Sequence, residues 1–63
     1  MIILNGERCE VAATDLAGLL IERDLTGRVA TAVNEVFVPA TARAGHALSD
    51  GDRVEVLAPM QGG

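Results

Sequence analysis

Two adjacent glycines, Gly62 and Gly63, close this sequence, and they put its most available chemistry on a carboxylate with no side chain beside it. Without a Cβ, both residues fit a narrow passage or a backbone conformation closed to other residues. A carboxylate is a poor electrophile, because resonance and negative charge both repel a nucleophile. Acyl transfer from Gly63 therefore needs activation, most economically as an acyl-adenylate formed with ATP, from which a sulfur or amine nucleophile displaces AMP. The chain has no phosphate-cradling glycine loop with its lysine. The expectation is that it binds no cofactor, that a partner enzyme uses the ATP, and that the chain is a carried substrate with no catalytic residue of its own.

Other reactive side chains are scarce. One cysteine, Cys9, cannot form an internal disulfide, and with one histidine, His46, it is too little for a structural zinc site. Asp50-Gly51-Asp52 lacks the ligand spacing of a calcium loop and reads as a turn. No metal site is expected; Cys9 reads as a strand residue and His46 as a solvated one. The cations are five arginines and there is no lysine, so the chain offers no side-chain amine to be joined to such a tail. A net charge of -4 argues against nucleic acid, because no basic patch is available to release counterions from phosphates. No apolar run approaches the roughly 18 residues of a membrane span, and no basic-then-apolar leader opens the chain. A cytoplasmic, soluble protein is expected.

The body that must hold out this tail is small. Sixty-three residues, 49 % of them apolar and one aromatic, Phe37, make a single domain with a simple core. Asn5-Gly6 between two short apolar segments predicts a type I′ hairpin, with Ile2 and Leu4 on one face, Val11 across from them, and Ile3 on the other. Leu16, Leu19 and Leu20 have helical spacing, with Thr14 as N-cap, Asp15 in the favourable field of the helix start and Gly27 as terminator. Gly18 within that helix suggests close backbone packing or simple tolerance. Val29, Thr31 and Val33 alternate with Ala30 and Ala32, and the sequence does not say which set is buried. Asn34-Glu35 turns the chain into a short strand, Val36 to Val38, ended by Pro39. Residues 40–47 read as a surface loop, Leu48 as a plug, Asp50-Gly51 as a turn and Val54 and Val56 as the inward positions of a closing strand. Pro59 cannot donate to a ladder, so the strand should stop near Ala58. A flexible tail, residues 59–63, would then reach at most about 18 Å.

Strand, strand, helix, strand, short strand, strand is the order of an α+β, ubiquitin-like β-grasp: a mixed sheet of four to five strands with one main helix on one face. The chain resembles the bacterial sulfur carriers of thiamine biosynthesis, the ThiS type. The likeness runs through Asn5-Gly6, Leu19-Leu20, the segment from Val33 to Pro39, Asp50-Gly51-Asp52 with Val54 to Val56, and the ending Gln61-Gly62-Gly63. It implies that a ThiF-like enzyme adenylates Gly63, that cysteine-derived sulfur converts it to a thiocarboxylate, and that a ThiG-like thiazole synthase takes the sulfur. It also implies docking through the sheet face and tail, with Met60, Gln61 and Gly62 in the contact. Ile3 and Phe37 could seed a dimer or mark a docking face, and a monomer is expected when the chain is free. The chain departs from the family's pattern at Asn34-Glu35, where Asn-Gly is frequent, and at Ala40, Thr41 and Ala42, where a basic residue and an aromatic are frequent. The small subunit of molybdopterin synthase, a ubiquitin-like protein modifier, and a plain binding domain with an idle terminus are the alternatives.

Overall fold

Asn5 and Gly6 have φ values of 49° and 86°, the two positive angles that a type I′ turn requires. They join β1 (Ile2–Leu4) to β2 (Glu7–Cys9), with Leu4 opposite Glu7 and Ile2 opposite Cys9. Asn34 and Glu35, at 51° and 72°, repeat the device between β3 (Ala30–Val33) and β4 (Val36–Val38), so a glutamate takes the place in which glycine is easier. The last strand, β5 (Arg53–Leu57), enters between the hairpins, parallel to β1 and antiparallel to β3. The sheet order is β2-β1-β5-β3-β4, a mixed sheet with five strands where the sequence led to an expectation of four to five. These elements belong to a computed structural model that describes residues 1–58.

One helix, α1 (Leu16–Glu22), covers one face of the sheet. Its N-cap is Asp15, not Thr14: the Asp15 Oδ1 accepts the Gly18 N–H at 2.7 Å. Thr14 is still engaged upstream, where its carbonyl accepts the Leu48 N–H at 2.9 Å, and an antiparallel bridge between Asp15 and Ala47 keeps the chain extended through residue 15. A Cβ on Gly18 would lie 3.1 Å from that Oδ1 and 3.2 Å from the Ala13 Cβ, so the close packing suggested by the sequence is present and involves the cap itself. The helix also ends earlier than Gly27. Asp24 takes the left-handed position, at φ 57°, while its N–H bonds the Ile21 carbonyl and the Leu25 N–H bonds the Leu20 carbonyl. That is a Schellman ending with aspartate where glycine is usual. Gly27, at φ 112°, lies in the next turn.

Leu16, Leu19 and Leu20 pack on Ile2, Val33, Val38, Val54 and Val56. Each such side chain taken from water contributes about 1.5–3 kcal/mol before chain entropy is set against it. The face that the sequence left undecided is settled by Thr31 and Val33, both buried, with Val29 partly so. Residues 40–47 are more ordered than a plain loop. A short 3-10 helix (Ala40–Ala42) leads to Arg43, whose guanidinium reaches back to the Thr31 hydroxyl and the Val29 carbonyl. His46 is half-buried instead of fully solvated, and its carbonyl accepts the N–H of Leu16, the first residue of α1, at 3.0 Å. Among the described residues no helix is long and apolar enough to cross a membrane, and no group of side chains is placed to hold a metal ion.

Candidate functional site: the outgoing end of the central strand

The tail is attached to β5, so the site begins with what holds that strand. Val54 and Val56 point into the core, and Arg53, Glu55 and Leu57 point away from it. Backbone pairing sets Leu57 opposite Ala30 on the β3 side. At the incoming end, the Asn34 Oδ1 accepts the Arg53 N–H at 3.0 Å, while its Nδ2 donates to the Asp52 Oδ1 at 3.0 Å. At the outgoing end, the Asn5 Oδ1 accepts the Val56 N–H at 2.8 Å and its Nδ2 donates to the Val56 carbonyl at 3.2 Å. The asparagines of both hairpin turns thus grip β5 with their side chains.

Asp52 anchors the turn before this strand. Its carboxyl lies below the ordinary aspartate range, first because the Ser49 N–H donates to it and then because the Asn34 amide does. Arg53 and Glu35 form an exposed ion pair at 3.6 Å, a geometry that contributes little in water.

The face of the sheet opposite α1 carries the remaining features of the site. Ala32 lies opposite both Phe37 and Glu55, and Ile3 lies opposite both Arg8 and Arg53. Phe37 and Leu57 are each 66 % exposed. At the exit itself, Arg28, Val29, Ala30, Leu57 and Ala58 line an open, mainly apolar hollow of about 480 Å³. None of these five side chains is a nucleophile or a general base. Cys9 is half-buried on β2, the edge strand remote in sheet order from β3, and its thiol faces the Glu7 carbonyl at 3.7 Å. The predicted contact and attachment residues Met60, Gln61, Gly62 and Gly63 lie outside the described residues.

The sequence identified the strand and the point at which it ends, but it showed Asn5 and Asn34 only as turn formers. Their grip on β5 gave no signal, because the partners are as much as 51 positions away. Arg43 gives no signal either, because its partners Thr31 and Val29 lie 12 and 14 positions away.

What the exit offers is a strand end held from both sides beside an apolar face. The fold matches the crystal structure of a thiamine biosynthesis protein (ThiS) from Geobacter metallireducens with a TM-score of 0.85 and 25 % identity, over 98 % of this chain and 97 % of that one. No curated protein matches the chain. The family profile described as ThiS matches residues 2–63, so the likeness spans both hairpins, the helix, β5 and the Gly62-Gly63 ending: the chain belongs to the ThiS family.

Proposed function

We propose that this chain carries sulfur for thiazole formation in thiamine biosynthesis, with the Gly63 carboxylate as the carrying group. A sulfur carrier role in that synthesis follows from the family; the chemistry at Gly63 is the proposal. A ThiF-like enzyme binds ATP and adenylates Gly63. Cysteine-derived sulfur then displaces AMP to leave a thiocarboxylate, which a ThiG-like thiazole synthase consumes. Catalysis belongs to the partners. The chain acts as co-substrate, and its own residues hold β5 and present the exposed Phe37 and Leu57 face for docking. Met60, Gln61 and Gly62 complete the contact on the partner.

The observation that carries this reading is the family match, which extends over residues 2–63 on a fold whose last described strand is held from both sides. Incubation with the adenylating enzyme, ATP and a sulfur source should raise the intact mass by about 16 Da, the exchange of one oxygen for sulfur. Larger covalent species in a cell extract would point instead to a protein modifier. Removing Gly63 should abolish the mass change and leave the thermal midpoint unaltered; thiamine-free growth supported by the truncated chain would overturn the proposal.

A further inference from the structure

The side chain of Asn5 continues a ladder that its own strand abandons. The pairing of β1 with β5 ends at Leu4 opposite Val54, yet β5 goes on to Leu57. The Asn5 N–H still donates to the Val54 carbonyl at 2.8 Å, but the chain then turns back, and the next peptide unit that would pair with Val56 is missing. The Asn5 carboxamide stands in its place, accepting the Val56 N–H and donating to the Val56 carbonyl. A carboxamide is the side-chain copy of a peptide group, with one carbonyl acceptor and N–H donors. The turn alone does not require it, since glycine and aspartate also accept a φ of 49°. Only asparagine offers both the turn angle and the paired donor and acceptor.

We infer that Asn5 is a positioning residue for the carrier reaction: by holding Val56 from the β1 side it fixes the line along which the chain leaves the sheet at Ala58. Ala30 holds Leu57 from the other side, so the exit is gripped at two successive residues by opposite neighbours. The inference rests on the sulfur carrier function proposed above, because a line of departure matters only if a partner must receive the tail.

Two variants of the full chain separate the grip from the turn. Asn5→Gly keeps the turn angle and removes both bonds; Asn5→Asp keeps the acceptor for the Val56 N–H but sets an oxygen against the Val56 carbonyl. Residue-resolved amide hydrogen exchange should show the Val56 N–H of Asn5→Gly exchanging about tenfold faster, with the Leu57 N–H, which faces β3, changed less than about twofold. In adenylation assays run well below both thermal midpoints, kcat/KM should fall about tenfold for Asn5→Gly, mainly through KM, and by a smaller factor for Asn5→Asp. A purely structural role would lower the midpoint and leave KM alone. Unchanged Val56 exchange in Asn5→Gly, or wild-type KM in both variants, overturns the positioning role. If the wild-type chain is not adenylated at all, the carrier reading falls and the positioning role with it, whereas faster Val56 exchange would still establish the grip.

Discussion

Replacing Thr31 by valine removes one hydroxyl from the place where the sheet meets the Arg43 segment, and almost nothing else. Thr31 is the buried polar residue of the core, 1 % exposed; its Oγ1 donates to the Val38 carbonyl at 2.7 Å and accepts from the Arg43 Nε at 3.0 Å. A neutral hydrogen bond contributes about 1 kcal/mol net, and one from a charged donor about 1.5–3 kcal/mol. Valine returns about 0.8 kcal/mol through the extra apolar group, and Arg43 keeps its bond to the Val29 carbonyl. The net loss should be about 2 kcal/mol. At roughly 0.05–0.15 kcal/mol per residue a domain of this size holds about 3–9 kcal/mol, so the loss is a large share. With about 4–8 °C per kcal/mol for small domains, the thermal midpoint followed by circular dichroism should drop by about 10 °C or more. Arg43→Met in the Thr31→Val background should then cost clearly less than Arg43→Met alone, because the two residues share a bond. A Thr31→Val midpoint within about 2 °C of wild type would refute this account of the core.

Asp15→Ala should cost about 1 kcal/mol in urea unfolding through loss of the helix cap, while Thr14→Ala leaves α1 capped. Gly18→Ala should give less than the roughly 1 kcal/mol that helix propensity alone promises, since the new Cβ crowds the Asp15 carboxylate at 3.1 Å. The lowered Asp52 carboxyl makes a small contribution to stability that is fully present well above the ordinary aspartate pKa of about 3.9 and is lost as pH falls through the lower folded-state value; the urea midpoints of wild type and Asp52→Ala should differ at pH 6 and draw together as the pH is lowered below that range. Leu57→Ser, at an exposed outward position, should leave the thermal midpoint within about 3 °C of wild type and weaken binding to the adenylating enzyme at least fivefold, as read by titration calorimetry.

The features visible in the sequence were those fixed by neighbouring residues. Asn5-Gly6 and Asn34-Glu35 specify turns because their positive φ values are local demands, and the alternation of Val54 and Val56 specifies the inward face of β5. Boundaries were less secure. Thr14 and Asp15 are both good caps in isolation, and the choice was made by Leu48 and Ala47, which engage the backbone there from more than thirty positions away. The buried face of β3 could not be chosen from its own residues, because alanine fits either side and Thr31 becomes acceptable inside only once the Val38 carbonyl and Arg43 meet its hydroxyl. The same reasoning covers the exit: Pro59 marks where the strand must stop, but no local pattern announces that Asn5 will take hold of Val56.

The last strand in chain order is the middle one in space. Until it arrives, the two hairpins have no ladder in common, so during synthesis the sheet cannot close before Arg53–Leu57 has left the ribosome. Closure of the body therefore waits on its last described strand. A partner that recognises the closed sheet would draw only on folded molecules, and an unfolded copy would be passed over without any separate proofreading step.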